Sequence, residues 1–204
     1  MSNAHDLRRK PEQARSRDRV NTILAAACRL IVRQGHAPLK MSDLAKEAKV
    51  SLPSIYRYFP DKKAIVRALA TASYEKAHEQ TANSIAQLAE GATIEEVCTD
   101  RLHMYFQLVR NDPIERYLRA AVLSDPELEE LDLDAARRDA AMIEPLLQVH
   151  LGTLKGKFGT AELALLLTYL AGASARLASL VEDEEGDRLE AAYIGIALQM
   201  LHIG

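Results

Sequence analysis

The sequence predicts an all-α protein, in which an N-terminal three-helix bundle precedes six longer helices. Apolar residues recur at helical spacing along nearly the whole chain. Helix caps and helix breakers separate these periodic segments from one another. Alternating apolar and polar runs joined by Asn-Gly or Asp-Gly turns, which would indicate β-hairpins, are missing from the sequence.

The first helix is expected to begin near Arg15–Asp18 and to end before Gly35. Its apolar stripe consists of residues spaced at i, i+4, i+7 and i+11: Val20, Leu24, Ala27 and Ile31. Gly35 is a natural stop, because glycine readily adopts the left-handed conformation that ends many helices. Residues 1–14 are expected to form a flexible basic tail.

Two short helices should follow, at about Ser42–Ala48 and Leu52–Phe59. The second of them is capped by Ser51 and has Pro53 in its first turn, where the missing N–H costs nothing. Only about three residues, Lys49–Ser51, join the pair, which is the geometry of a helix-turn-helix.

The six longer helices are separated by caps and loops. Asp61 caps one that runs to about Leu88, and a Thr93–Glu96 capping box opens the next. Two Asp-Pro pairs then begin two more helices, Thr160 is expected to cap the eighth helix, and Asp187 is expected to cap the ninth after a connection at 182–187. The expected ranges are about 94–110, 113–123, 126–151 (with a kink at Pro145), 161–182 and 188–202.

Charge divides the chain into a basic head and an acidic body. Residues 1–63 contain 14 Lys and Arg against 6 Asp and Glu, a net charge of +8. Residues 64–204 contain 12 against 23, a net charge of −11. This asymmetry favours a head that binds an anionic partner. The alternative is a chance distribution of charge over two solvated faces.

The third helix has the composition of a surface that binds nucleic acid. At 100° per residue, Ile55 and Phe59 point toward the core. The remaining side chains cover the opposite side and the two flanks: Pro53, Ser54, Tyr56, Arg57 and Tyr58. Such a helix fits the major groove of DNA, with Lys62 adding phosphate attraction beside it. Two short amphipathic helices around a tight turn also occur in many helical proteins without this function.

The run DLAKEAKVSLPSIYRYFPDKKAI, from Asp43 to Ile65, resembles the signature of the TetR family of bacterial transcriptional regulators. The match covers about residues 15–70. It implies a helix-turn-helix DNA-binding domain at 15–62 and a six-helix effector-binding and dimerisation domain at 63–204. Two positions depart from the pattern. Lys40 replaces the usual capping Thr, so that either Ser42 caps the second helix or the cap is weaker, and Lys49 replaces the preferred Gly.

By this resemblance, certain side chains of the helix-turn-helix contact DNA. Base edges would be met by Leu52, Pro53 and Tyr56, together with Ser42. Phosphates would be bound by Ser54, Arg57, Tyr58 and Lys62. Contacts of the second kind fix the register of a protein on DNA, whereas base contacts carry the sequence preference.

The last two helices, about 161–182 and 188–202, are predicted to form a homodimer interface. The first of them is rich in Leu and small residues all round, which indicates burial against its own domain and against a partner. The family resemblance implies the same pair of helices, and a central core helix of a monomer is the alternative. The resemblance also implies an effector site among the middle helices, where the candidates are polar or soft residues on apolar patterns: Tyr74, His78, His103, Tyr117, Met142 and Tyr169.

Other classes of protein find little support. The longest apolar stretch, Leu163–Ala175, is shorter than the roughly 20 residues that span a bilayer, and no signal peptide is visible. Cys28 and Cys98 have no Cys or His partner at metal-ligand spacing, so no metal or cofactor is expected. Nucleophile motifs and glycine-rich phosphate loops are missing, which argues against an enzyme.

We therefore expect a cytoplasmic, homodimeric regulator that binds double-stranded operator DNA in a sequence-specific manner. A repressor released from its operator by a small-molecule effector is the favoured form. A regulator that responds to no ligand, or to a protein, remains open as the alternative.

Overall fold

The computed structural model describes residues 4–35, 39–151 and 159–201, and within those ranges the chain forms nine α-helices, one 3-10 helix and no strand. The predicted all-α fold is confirmed. The chain divides into two compact units, Met1–Ala70 and Thr71–Gly204. This division lies within the fourth helix, beyond the boundary expected at residue 62, and the functional division at that residue stays a prediction.

The helices are α1 (Ala4–Gln34), α2 (Met41–Ala48), α3 (Leu52–Tyr56), α4 (Lys62–Ala86), α5 (Ile94–Asn111), α6 (Pro113–Val122), α7 (Pro126–Leu151), α8 (Thr160–Ala178) and α9 (Asp183–Leu201). The 3-10 helix, Gln87–Glu90, follows α4 directly. Most of the expected ranges agree within two residues, and α7 continues through Pro145.

The start of α1 differs from the expected one. The helix begins at Ala4, within the segment predicted to be a tail, and it runs through Pro11 into residues 12–15, which are strong helix formers. Its end agrees with the prediction: Gly35 has a φ of 61° and its N–H donates to the Ile31 carbonyl at 2.8 Å.

The core of the first unit is built from α1, the helix-turn-helix and the start of α4. Its fully buried side chains are Ile23, Leu30, Ile31, Leu44, Ile55 and Ile65. The α1 stripe is therefore centred on Ile23 and Leu30, whereas the predicted Val20 and Leu24 lie half-buried at its edge. Burial of a side chain of this size contributes roughly 1.5–3 kcal/mol. These contacts hold α3 in place by its inner face.

Ion pairs join α1 to α2. Arg29 Nε lies 2.8 Å from Glu47 Oε1, and Arg33 Nη1 lies 3.0 Å from Glu47 Oε2. Hydrogen bonds from these two arginines lower the pKa of Glu47 below its usual value. The Glu47 carboxylate therefore keeps its charge, and its two ion pairs persist, until the pH falls through the lowered pKa.

The turn between α2 and α3 carries two lysines at unusual positions. Lys40 is the N-cap residue of α2 and forms no side-chain cap, so the weaker-cap alternative holds. Lys49 has a φ of 55°. Among the described residues it is the only non-glycine residue with a positive φ. Side chains rarely adopt this left-handed conformation because Cβ crowds the backbone.

Substituting Lys49→Gly should stabilise the protein by about 1 kcal/mol, since glycine adopts this conformation without strain. Urea unfolding at fixed protein concentration measures the change. Lys46→Gly is the matched control, because Lys46 is exposed inside α2, where glycine costs about 1 kcal/mol. Equal destabilisation by both substitutions would contradict the assigned strain at Lys49.

The start of α9 also differs from the prediction. The helix begins at Asp183, and the residues expected as a connection form its first turn. Asp183, Glu184 and Glu185 suit that turn, because the N-terminal end of a helix attracts negative charge. Asp187 accepts a hydrogen bond from Arg110 at 2.5 Å and does not cap the helix. Similarly, Thr160 is the first residue of α8, and Gly159 is its N-cap.

A buried polar network joins α5 to α9. The Arg110 side chain is only 8% exposed, and its pKa is raised by the hydrogen bond to Asp187. Its guanidinium also lies 3.6 Å from the buried Glu190 carboxylate. Glu190 further accepts from Gln107 at 3.1 Å and lies 2.5 Å from His103 Nδ1. The buried carboxylate is therefore paired on several sides, as burial of a charge requires.

Candidate nucleic-acid interface and ligand cavity

The third helix, α3, is short and has a well-capped N-terminus. Ser51 Oγ accepts a hydrogen bond from the Ser54 N–H at 3.3 Å, and Pro53 occupies the first turn. The helix ends at Tyr56, earlier than the predicted Phe59, and the Tyr58 N–H donates to the Ile55 carbonyl three residues back, as in a tight turn. The chain after Tyr56 is thus a tight turn that still returns Phe59 to the core.

The structure places the predicted DNA-binding side chains at the surface of the first unit. Tyr56 is 48% exposed and Leu52 is 36% exposed, although both are large apolar side chains. Four further candidates are exposed and two are half-buried: Ser42, Pro53, Arg57 and Lys62, then Ser54 and Tyr58.

Positive charge surrounds this surface. Lys40, Lys49, Arg57 and Lys62 are exposed, and none of them forms an ion pair with a described residue. Cations without partners are available to phosphates, which supply most of the salt-dependent affinity for DNA. Lys40 was not among the predicted contacts, and its position just before α2 in a basic turn was the signal that could have identified it.

The second unit contains a cavity of about 200 Å³ among α4 to α9. Its wall is largely apolar and includes Ile85, Val97, Leu102, Ile143 and Leu147. Of the six effector candidates, Tyr74 and Tyr169 line the cavity, and the others do not: His78, His103, Tyr117 and Met142. His78 does reach the cavity wall indirectly, since its Nδ1 lies 2.6 Å from Asp139.

A buried cation lies at one side of the cavity. Arg119 Nη1 lies 3.1 Å from Asp132, and Nη2 lies 3.5 Å from Glu115. Tyr74 donates a hydrogen bond to the same Asp132 oxygen at 2.6 Å, and the Tyr74 ring centroid lies 5.0 Å from Arg119 Cζ. Burial alone would lower the pKa of Arg119, but the facing tyrosines and carboxylates outweigh it and raise the pKa.

A second cation lines the cavity from α5. Arg101 donates to Thr81 Oγ1 at 3.2 Å and to the Ala77 carbonyl at 3.1 Å, and burial lowers its pKa. Sequence reasoning missed both cavity arginines, because an arginine on an amphipathic helix is normally assigned to solvent. The one available signal was the spacing of Glu115 and Arg119 on α6, which places an ion pair at i, i+4.

Reactive groups are scarce around the cavity. Burial raises the pKa of the Cys98 thiol to about 11, so this thiol stays protonated at neutral pH. Within the described ranges, no group of three or more His, Cys, Asp or Glu side chains could hold a metal ion.

The comparison with protein families decides the identity. The sequence model for the tetR family of bacterial regulatory proteins matches residues 23–69, and the tetracyclin repressor-like C-terminal domain matches residues 92–202. This chain belongs to the TetR family. It is accordingly a TetR-family transcriptional regulator with a helix-turn-helix formed by α2 and α3.

The individual relatives resemble this chain either over a short segment or at low sequence identity. The transcriptional regulator EthR of Mycolicibacterium smegmatis is 44% identical over 52 residues, which span 26% of this chain and about a quarter (24%) of EthR. Thermus thermophilus FadR, solved in complex with lauroyl-CoA, is 21% identical over 89% of this chain and 92% of its own, with a TM-score of 0.67. A TetR-family regulator from Pectobacterium atrosepticum is 21% identical over 92% and 94%, with a TM-score of 0.64. The two solved structures show a shared fold.

Proposed function

We propose that this TetR-family regulator is a homodimeric repressor, which binds operator DNA through α3 and leaves it when a small molecule enters the cavity. In this proposal residues 15–62 bind DNA, residues 63–204 bind the effector and dimerise, and the protein acts in the cytoplasm. The observation that carries the DNA-binding part is the exposed outer face of α3, where Tyr56 and Leu52 lie among cations that form no ion pair with a described residue.

The family resemblance, together with the exposure of most of these side chains, supports the proposed roles of single residues. Leu52, Pro53 and Tyr56 would contact base edges from α3, with Ser42 reaching in from α2. Ser54, Arg57, Tyr58 and Lys62 would bind phosphates on either side. Phosphate contacts of this kind position the helix, so that the few base contacts can select a sequence.

Dimerisation is supported by the distribution of large and small residues on α8. The residues that α8 buries are all alanines: Ala164, Ala171, Ala175 and Ala178. Large apolar residues are exposed along the opposite face of α8, and Leu180 is exposed just beyond its end: Leu166, Leu170, Leu177 and Leu180. A helix of a monomer would bury its leucines, so this inverted pattern favours a second copy packed on the exposed stripe.

The apolar character of α8 has a second interpretation. Among the described residues, this helix alone is long and apolar enough by length and composition to cross a membrane, and 28% of it is buried. Helices of soluble proteins also pass this test. The helix packs against α7 and α9 through its buried alanines. This packing favours the dimer interpretation.

An effector response is supported by the cavity and by α4. Tyr74, Ala77 and Thr81 line the cavity from α4, whose first residues belong to the DNA-binding unit. A ligand that changes the position of this continuous helix would shift the population between conformations that fit the operator and those that do not. The cavity favours a regulator that responds to a small molecule. A regulator that responds to no ligand, or to a protein, remains the alternative.

Tyr56→Ala should lower the affinity for specific DNA by roughly 10–100-fold, since a lost base contact costs about 1–3 kcal/mol. A gel-shift assay on the DNA flanking the gene for this protein, at several salt concentrations, measures the change. Sedimentation checks that the variant remains dimeric. Met104→Ala, an equally exposed position on α5, is the control and should leave affinity unchanged.

The same assay tests the proposed function as a whole. Wild-type protein should bind a specific fragment, and the affinity should fall steeply as salt increases. Specific binding that survives Tyr56→Ala would contradict the assignment of α3. No salt-dependent, specific binding by the wild type would reject the DNA-binding proposal itself.

A further inference from the structure

We propose that the cavity takes a small organic anion, a carboxylate on a compact apolar body, and that Arg101 binds the carboxylate; this rests on the proposed function, since it names the class of effector. Three observations support it. Arg101 lines the cavity without an ion pair, the other charged groups of the wall are already paired, and the rest of the wall is largely apolar.

The guanidinium of Arg101 lies at the cavity wall. It donates to Thr81 Oγ1 at 3.2 Å and to the Ala77 carbonyl at 3.1 Å. Its Cζ lies 5.5 Å from the centroid of the Tyr105 ring. All three of these neighbours also line the cavity. A ligand that occupies the cavity would therefore lie beside this cation.

The third nitrogen of this guanidinium has no partner. Nη1 of Arg101 forms no hydrogen bond with a described residue, and no described carboxylate oxygen lies within 4.0 Å of the guanidinium nitrogens. Among the described residues, only Arg119 Nε is a buried side-chain polar atom without a partner, so Arg101 Nη1 keeps some accessible surface. A carboxylate of a ligand would accept a charge-assisted hydrogen bond from this donor.

The two arginines of the cavity differ in how their charge is balanced. Arg119 lies within 3.5 Å of carboxylate oxygens of both Asp132 and Glu115, and its pKa is raised. The acceptors of Arg101 are uncharged oxygens, and burial lowers its pKa. Burial of a cation without a close counter-charge is unfavourable, and this cost arises when the protein folds. An anionic ligand would supply the missing counter-charge.

The two carboxylates that line the cavity are already engaged. Asp132 lies 3.1 Å from Arg119. Asp139 Oδ1 lies 2.6 Å from His78 Nδ1. The charge of Asp139 also acts on Arg101 from beyond ion-pair distance, so it would oppose a bound anion. We therefore expect the Asp139→Asn variant to bind the anion more tightly than the wild type does.

The volume limits the apolar body of the ligand. About 200 Å³ is below the roughly 300–1,000 Å³ of pockets for drug-sized molecules. It is slightly larger than an engineered apolar cavity of about 150 Å³ that binds benzene. The surrounding wall is mostly apolar, from residues such as Ile85, Val97 and Leu147. A single ring with one carboxylate therefore fits, whereas a long acyl chain with its carrier group does not.

The same arginine connects the ligand to α4. Both hydrogen bonds of Arg101 end on that helix, at Ala77 and Thr81. A ligand carboxylate is a stronger acceptor than these uncharged oxygens, and it would compete with them for the guanidinium. Binding of the anion would then change the contacts of α4, whose first residues belong to the DNA-binding unit.

Titration calorimetry on the full-length protein at neutral pH, with four probes, tests the class. Benzoate is the anion, and benzamide has the same shape without the charge. Benzylamine is the cation, and lauroyl-CoA is the large acyl carrier. Benzoate should bind at least about tenfold more tightly than benzamide, because a hydrogen bond between charged groups is worth about that factor. Benzylamine and lauroyl-CoA should bind more weakly than benzoate.

Arg101→Gln removes the charge and keeps an amide that can donate to α4. It should weaken benzoate binding about tenfold or more and leave benzamide binding nearly unchanged. Arg137→Gln, at an exposed position of α7 outside the cavity lining, is the matched control and should change neither affinity. Arg101→Lys keeps the cation and should keep the preference for benzoate. Asp139→Asn should strengthen benzoate binding about two- to tenfold.

The outcomes separate this proposal from the proposed function. Benzamide, benzylamine or lauroyl-CoA binding as tightly as benzoate overturns the ligand class, and so does benzoate that fails to saturate. Equal losses for benzoate and benzamide in Arg101→Gln, or unchanged or weaker benzoate binding in Asp139→Asn, would contradict the contact with Arg101.

A gel-shift assay with operator DNA and each probe completes the test. Release of the DNA by benzylamine or lauroyl-CoA, but not by benzoate, would overturn the class while supporting the effector response. Binding of benzoate that depends on Arg101, without any loss of operator affinity, would support the class and reject release from DNA by this class of ligand.

Discussion

Leu170→Glu should convert the protein from a dimer into a monomer and lower its affinity for operator DNA by more than tenfold. Leu170 is 47% exposed and lies within the apolar stripe of α8. In a packed dimer its replacement would bury a carboxylate without a partner on each side, which costs several kcal/mol. Since two half-sites supply affinity that one short helix lacks, loss of the dimer should also weaken DNA binding.

Sedimentation equilibrium and fluorescence anisotropy with labelled operator DNA measure the two effects. Leu123→Glu is the matched control, because Leu123 is 55% exposed at the end of α6, away from the stripe. It should stay dimeric and bind DNA normally. If Leu170→Glu remains dimeric, the interface lies elsewhere, and the exposed leucines of α8 need another partner.

Gly186→Ala should destabilise the protein by roughly 1–3 kcal/mol, the usual cost of overpacking a core. Gly186 is buried in the first turn of α9. A Cβ there would lie 2.9 Å from the Ala178 carbonyl oxygen and 2.9 Å from the Arg110 guanidinium. The carbonyl belongs to the end of α8, so it moves only with the helix. The buried Arg110 is held by Asp187 and Glu190 and has little freedom to move aside.

Gly195→Ala is the matched control within the same helix. A Cβ at Gly195 meets nothing within 4 Å, so alanine should stabilise α9 by about 0.5–1 kcal/mol. Urea unfolding at one protein concentration compares the two variants, because the stability of a dimer depends on concentration. Stabilisation by both substitutions would contradict the close approach of α8, α9 and Arg110.

The correct predictions came from signals between neighbouring residues. Ser51 and Pro53 predicted the start of α3, and Thr93 with Glu96 predicted the capping box of α5, in which both reciprocal hydrogen bonds are present. Gly35 predicted the end of α1. A cap or a stop acts within one helical turn, so a single sequence contains all the information it needs.

Other features of the molecule depend on residues that are distant in the sequence. Asp187 was expected to cap α9, but Arg110, distant in the sequence, recruits it as an ion-pair partner. Four of the six candidates for effector contacts lie outside the cavity, since polarity on an apolar pattern does not reveal what faces a side chain. Arg119, which does line the cavity, depends on carboxylates from α6 and α7 and on aromatic rings from α4 and α5.

By itself, the sequence determined the all-α class, the helix-turn-helix, the family and the apolar character of α8, because periodicity and short motifs encode them locally. The tertiary packing determines that α8 buries its alanines while it exposes Leu166, Leu170 and Leu177, and it determines which polar groups line the cavity. An apolar helix looks the same in sequence whichever face is covered. Only the packing of α7 and α9 against α8 distinguishes the core face from the exposed face.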